Sequence, residues 1–289
     1  MSAIAPRPSF IVPCAHGHAL ALGPRTLVMG IVNVTPDSFA GGITDPDEAA
    51  ALACEMEAQG AHLVDIGGES TRPGAEAVPS QVELGRVVPV IERLAGRIGI
   101  PISIDTYKTE VAEAAILAGA ALVNDVSGLG YDPRLGSVAA RRGAGLILMH
   151  TRGRSRDMYR EAVYQDVAGE VAAELRLSLA RAEAEGVGRD RIVIDPGLGF
   201  AKRADDSYAV LAALPRLQAL GRPVLVGPSR KSFLAQALGE TDPAGREWGT
   251  AAAVASAILL GAHIVRVHGV REMVHVARVA DMIRQRAGV

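Results

Sequence analysis

The apolar positions of this chain fall into one recurring phrase: an Ala-rich amphipathic stretch, a Gly-Ala pair, a short unbroken apolar run, and a polar residue. It reads Gly60-Ala61-His62-Leu63-Val64-Asp65, then Gly119-Ala120-Ala121-Leu122-Val123-Asn124, then Gly261-Ala262-His263-Ile264-Val265-Arg266. A looser copy runs from Gly143-Ala144 through Leu146-Ile147-Leu148 to Met149-His150. A glycine at the end of a helix takes the left-handed conformation most easily. A short apolar run without alternation predicts a strand buried on both faces. Four further runs lack the Gly-Ala preface but end alike, at Asn33, Asp105, Asp195 and Gly227-Pro228-Ser229. The predicted strands are therefore 27–32, 63–66, 102–104, 122–124, 145–149, 192–194, 224–226 and 264–267. Helical patterns lie near 46–59, 80–95, 107–118, 133–142, 165–185, 205–219, 246–260 and 271–286. Alternating strands and helices imply parallel pairing with right-handed crossovers. Eight such units predict an α/β protein, a single (β/α)8 TIM barrel over residues 25–289, with an open doubly wound sheet as the alternative. Residues 1–24 form a short N-terminal extension, placed as a hairpin on the barrel floor.

Composition narrows the function. Hydrophobic residues make up 49% of the 289 positions and charged residues 21%, enough to bury a large core. Lys+Arg number 30 against Asp+Glu 32, a formal net charge of -2, which argues against nucleic acid as a partner. Aromatic residues are only 3%, too few for base-stacking platforms, so the core is aliphatic. The two cysteines, Cys14 and Cys54, have no Cys-x-x-Cys spacing, which disfavours a disulfide framework or a structural zinc and suits a reducing compartment. His16 and His18 stand in a Pro-rich stretch without further metal ligands. The first 25 residues show no signal-peptide pattern, and the longest apolar stretch, 251–262, is too short to span a bilayer. The expectation is a cytoplasmic protein with no membrane partner.

Asn33, Asp65, Asp105, Asn124, Asp195, Lys231, Arg266 and His268 stand at or just after strand C-termini. In a barrel these ends converge on the face where active sites form. Singly, Asp105 before Thr106 reads as a helix cap and Asp65 before Gly67-Gly68 as a turn former. Together, carboxylates, amides and cations in one ring exceed what capping explains, since Lys231 and Arg266 cannot cap a helix N-terminus.

The segment Ile31-Val32-Asn33-Val34-Thr35-Pro36-Asp37-Ser38-Phe39 resembles the opening signature of the dihydropteroate synthase family of pterin-binding enzymes. Further matches follow in order: Gly67-Gly68-Glu69-Ser70-Thr71-Arg72-Pro73-Gly74, Ser103-Ile104-Asp105-Thr106, Asn124-Asp125 and Leu148-Met149-His150. Then come Asp195-Pro196-Gly197-Leu198-Gly199-Phe200-Ala201-Lys202, Ser229-Arg230-Lys231-Ser232 and Arg266-Val267-His268. The resemblance covers nearly the whole chain from Leu27 onward. It implies a transferase of folate biosynthesis that joins p-aminobenzoate to a dihydropterin methyl diphosphate, releasing pyrophosphate through a dissociative substitution. It assigns pterin binding to Asp105, Asn124, Asp195 and Lys231, and catalysis to Asp105, Asp195 and Lys231. Diphosphate binding falls to Asn33, Arg266 and His268, with Asn33 also the ligand of a Mg²⁺ cofactor. The p-aminobenzoate pocket falls to Ser70, Thr71, Arg72, Pro73, Phe200 and Ser229. A homodimer and sulfonamide sensitivity are further implications of the resemblance.

The chain departs from the family pattern at Ala40 in a shortened first loop, at Tyr107 where a small residue is common, at Leu198 and Ala201, and at Gly269 after Arg-Val-His. Three alternatives compete: a pterin-binding methyl-transfer module, a non-catalytic pterin-binding paralogue, and a Schiff-base aldolase using Lys231. The first would not need 69–74, Ser229-Arg230-Lys231 or Arg266-Val267-His268.

Overall fold

Each apolar run forms a strand of one parallel sheet, because both of its faces are covered. The computed structural model describes residues 4–36, 42–160 and 162–287. An antiparallel hairpin, β1 (Phe10–Pro13) and β2 (Ala19–Leu22), comes first. The sheet strands are β3 (Leu27–Asn33), β4 (Leu63–Gly67), β5 (Ile102–Asp105), β6 (Leu122–Asp125), β7 (Gly145–Met149), β8 (Ile192–Asp195), β9 (Leu225–Val226) and β10 (Ile264–Val267). Their order is β8-β7-β6-β5-β4-β3-β10-β9. One parallel bridge, Ile194 to Val224, completes the circle, and the Ile194 N–H donates to the Pro223 carbonyl at 3.0 Å. This seam is thin because Pro223 and Pro228 flank β9 and offer no N–H to a ladder. The result is a TIM barrel.

The outer helices are α1 (Pro46–Ala58), α2 (Ser80–Leu94), α3 (Thr109–Ala118), α4 (Arg134–Arg142), α5 (Val167–Ala184), α6 (Ala204–Ala212), α7 (Phe233–Leu238), α8 (Glu247–Leu259) and α9 (Val270–Ala287). Two differ from the expected pattern. The stretch near 205–219 is α6 followed by a 3₁₀ segment, Leu214–Leu220, because Pro215 cannot donate to the preceding turn. Helix α7, absent from the predicted set, is one short segment inside the connection after β9. The first-loop departure at Ala40 lies outside the described residues. Among the described residues, no helix is long and apolar enough to cross a membrane.

Strand pleating sorts two cores. Met29, Leu63, Leu122, Ile147, Val193, Leu225 and Ile264 pack together inside the barrel with Val12, Leu20 and Leu22 of the hairpin, which covers the floor. Their neighbours Val28, Val64, Val123, Leu146, Ile194, Val226 and Val265 face the helices. With a side-chain period of two, the residue two positions past each floor residue faces the interior again, one layer higher. On β4, β6, β8 and β10 that residue is Asp65, Asn124, Asp195 and Arg266. A polar layer thus sits directly on an aliphatic plug.

Candidate active site

Arg266 organises that polar layer. Its Nε donates to Asp65 Oδ2 at 2.6 Å and its Nη2 to Asp105 Oδ2 at 2.7 Å, while Asn124 Nδ2 donates to Asp65 Oδ2 at 2.9 Å. Burial works against the guanidinium charge, but Asp65 and Asp105 together hold its pKa above the usual arginine value. Asp105 is pushed up by burial against the opposing pull of Arg266. The other oxygens, Asp65 Oδ1 and Asp105 Oδ1, are buried without a hydrogen-bond partner. Such an acceptor is costly unless a ligand donor meets it.

Asp195 closes the next strand. Its Oδ1 accepts the Gly197 N–H at 2.7 Å; burial raises its pKa and nearby Lys231 opposes the rise. Lys231 follows β9, donates from Nζ to the Leu198 carbonyl at 2.7 Å and lies 4.5 Å from the Phe200 ring centroid. Burial lowers its pKa to about 8, with Asp195 working the other way. The lysine stem fits because Gly199, at φ +76, has no side chain: a Cβ there would stand 3.3 Å from Lys231 Cδ. Deeper still, the buried Lys202 ammonium donates to the Gly197 and Phe200 carbonyls at 3.1 and 3.0 Å and lies 2.8 Å from His150 Nδ1. It ties down the loop that carries Phe200.

On the opposite wall, Ser229 Oγ lies 2.9 Å from His268 Nδ1 and accepts the His268 backbone N–H at 3.2 Å. Burial, reinforced by the neighbouring cations Arg230, Arg266 and Lys231, lowers the His268 pKa to about 3, so its ring is neutral. Arg230 adopts a left-handed φ of 57 and donates from Nε to Glu247 Oε2 at 2.9 Å. Glu247 also borders the departure at Gly269, where a Cβ would come within 2.4 Å of Glu247 Oε1 and push that carboxylate aside. Ala201, another departure, keeps a left-handed φ of 47, which a glycine adopts at lower cost. Leu198 is fully buried in the outer core.

A cavity of about 440 Å³ opens over these groups. Asn33, Ser70, Thr71, Arg72, Pro73, Asp105, Phe200, Ser229, Lys231, Arg266 and His268 all line it. Asn124 and Asp195, each 4% exposed, are not among its lining residues; they belong to the polar layer at the strand ends. The structure also brings in Thr35, Glu69, Tyr159, Arg230, Ser232 and Arg246. Thr35, Glu69, Arg230 and Ser232 stand inside the matched motifs and are legible there, as Asp65 is at its strand end. Tyr159 and Arg246 come from segments without a motif and carried no sequence signal. Five cations (Arg72, Arg230, Lys231, Arg246 and Arg266) against the carboxylates Glu69 and Asp105 suit an anionic ligand.

No group of three or more His, Cys, Asp or Glu among the described residues could hold a metal. Asn33, which lines the cavity, carries an amide oxygen. That donor set fits a hard cation such as Mg²⁺, which keeps its waters and shares phosphate oxygens.

A family model described as pterin binding enzyme matches residues 29–268. The chain is 47% identical over 263 residues to a dihydropteroate synthase of Synechocystis sp., covering 90% of this chain and 91% of that protein. Among solved structures, Yersinia pestis dihydropteroate synthase with a sulfonamide drug complex superposes with a TM-score of 0.89 at 40% identity, over 94% of this chain and 98% of that one. Xanthomonas albilineans dihydropteroate synthase with 4-aminobenzoic acid gives 0.86 at 42% identity, with coverage of 94% and 98%.

Proposed function

The chain belongs to the pterin-binding enzyme family, and we infer from this membership that it is a dihydropteroate synthase, a transferase of folate biosynthesis. It joins p-aminobenzoate to dihydropterin methyl diphosphate, forming dihydropteroate and pyrophosphate. The observation that carries the mechanism is the pairing of a buried, unpartnered Asp105 oxygen with a ring of cations around one cavity.

In our reading the pterin lies on the polar layer. Asp195, with one oxygen committed to Gly197, offers the other to the amino-oxo edge, and Asp105 and Asn124 meet further ring nitrogens. Lys231 donates to the carbonyl side of the ring. The diphosphate lies toward Arg266, His268 and Asn33, where the α9 N-terminus adds its dipole. Asn33 would hold Mg²⁺, which supplies charge neutralisation for the leaving group. Departure of the diphosphate leaves positive charge on the pterin methylene, stabilised by Asp105 and Asp195, so no protein nucleophile is needed. The p-aminobenzoate amine then attacks from the side lined by Ser70, Thr71, Arg72, Pro73 and Phe200, with Ser229 nearby. Sulfonamides, as aminobenzoate mimics, compete there.

Residues 25–289 are the catalytic barrel and 1–24 its floor extension. The protein acts as a cytoplasmic homodimer in this reading. Trp248 of α8 is 86% exposed, and Val279, Met282 and Ile283 of the adjoining α9 are exposed as well, apolar surface of the kind a partner subunit covers. The decisive experiment is pyrophosphate release from dihydropterin methyl diphosphate with Mg²⁺, with and without p-aminobenzoate, with mass detection of product. Dihydropteroate formed only in the presence of p-aminobenzoate establishes the reaction; tight pterin binding without product points instead to a non-catalytic paralogue.

A further inference from the structure

The segment after β4 is tied down from outside by side chains of the loops after β5 and β7. Glu69, at its root, has both oxygens occupied. Oε1 accepts from the Tyr107 hydroxyl at 2.7 Å, and Oε2 accepts from Lys108 Nζ at 2.5 Å and from the Val78 N–H at 3.0 Å. Lys108 also donates to Glu83 Oε2 at 2.5 Å and to the Val78 carbonyl at 2.7 Å, which uses all three of its protons. Tyr107 packs edge-on against Tyr131 at 5.1 Å between ring centroids, and Arg154 lies 4.4 Å from the Tyr131 centroid. The next residue, Ser155, donates from its hydroxyl to the Thr71 carbonyl at 3.2 Å, and its backbone carbonyl accepts the Gly74 N–H at 2.8 Å. The loop after β5 thus holds the two ends of the segment at Glu69 and Val78, the loop after β7 holds Thr71 and Gly74 within it, and the loop after β6 backs Tyr107.

A carboxylate so fully engaged does not serve a substrate, although Glu69 borders the cavity. Lys108, shared with Glu83, offsets part of its charge, which matters beside a site for a second, anionic carboxylate. We propose that Tyr107 is a positioning residue for the aromatic-amine substrate: acting through Glu69, its hydroxyl holds the 70–73 stretch in its binding conformation. The inference rests on the assignment of that stretch to p-aminobenzoate. It also gives a physical role to a residue that departs from the family pattern. The pterin half of the site does not depend on the hydroxyl, because Asp105 is held by Arg266.

The test uses the full-length enzyme with Tyr107→Phe, Glu69→Gln and both together, followed by hydrogen exchange and steady-state kinetics. In Tyr107→Phe, amide exchange over 70–78 rises, and KM for p-aminobenzoate increases about tenfold, as loss of a hydrogen bond to a charged group implies. kcat and KM for the pterin diphosphate change less than about twofold, and the double variant is no worse than Glu69→Gln alone, since the two residues act as one unit. Unchanged exchange and unchanged aminobenzoate KM overturn the proposal. An equal loss of pterin affinity also overturns it, by assigning Tyr107 to the β5 end as a whole. If wild-type turnover does not require p-aminobenzoate, the functional reading fails, and exchange over 70–78 still decides the brace. If wild type requires it and Tyr107→Phe is silent, only the brace fails.

Discussion

Arg266 on β10 reaches Asp105 on β5 at 2.7 Å, although 161 positions and two intervening strands separate them. Such a bond forms only across the interior of a closed barrel. It anchors one Asp105 oxygen and leaves the other buried without a partner at the cavity wall. In the proposed pterin pose a ligand N–H supplies the missing donor.

Asp105→Asn is therefore expected to lower kcat/KM for the pterin diphosphate by at least about a hundredfold, the scale of a lost transition-state electrostatic contact. Folding is expected to persist, since Arg266 keeps Asp65. Paired kinetics and thermal melts check this. Undiminished turnover would remove Asp105 from the chemistry.

Lys231 is expected to set an alkaline limit on the reaction. Burial lowers its ammonium to about 8, so kcat/KM falls as pH rises through that value and the lysine neutralises. Lys231→Ala is expected to cut pterin affinity by about two orders of magnitude if its charged hydrogen bonds are lost, and to abolish that alkaline limb. A pH–rate profile of both proteins decides; an identical limb in the variant would assign it to another group.

Acid destabilises the fold through histidines buried in their neutral form. His263 Nδ1 accepts the Val224 N–H at 3.1 Å, so its Nε2–H is the donor to the Pro8 carbonyl at 3.0 Å. Burial lowers its pKa from 6.5 to about 4, and that of His150 to about 4 as well. Between those values the unfolded chain binds protons that the folded one refuses, so stability falls as pH drops through the window. Denaturant midpoints measured down this range should decline, and His263→Gln should flatten the slope. A slope unaltered in the variant would contradict the assignment.

At the barrel floor, Arg7 donates to the Gly23 and Ala262 carbonyls, the Thr26 hydroxyl and Asp281, pinning the N-terminal segment to α9. Arg7→Ala leaves Asp281 buried without its cation and is expected to cost about 3 kcal/mol of stability. Turnover per folded molecule should stay unchanged, since the site lies at the other end of the barrel. Urea titration and active-site-normalised kcat test both halves.

Alternating apolar runs and Ala-rich helices, each closed by glycine, specified the eight-unit barrel, because strand and helix periodicities are local properties of consecutive residues. The ordered motifs likewise marked Asn33, the 70–73 stretch, Lys231, Arg266 and His268, since each lies within a few residues of its strand end. Nothing local told which of these residues touch. The pairing of Asp65 and Asp105 with Arg266, the deep burial of Asn124 and Asp195, and the Tyr107–Glu69 hydrogen bond were decided by the tertiary structure. Barrel closure sets which inward-facing residues share a layer, and that depends on the register of all eight strands at once. Tyr159 and Arg246 entered the site for the same reason: their loops fold over a mouth that exists only once the barrel is closed.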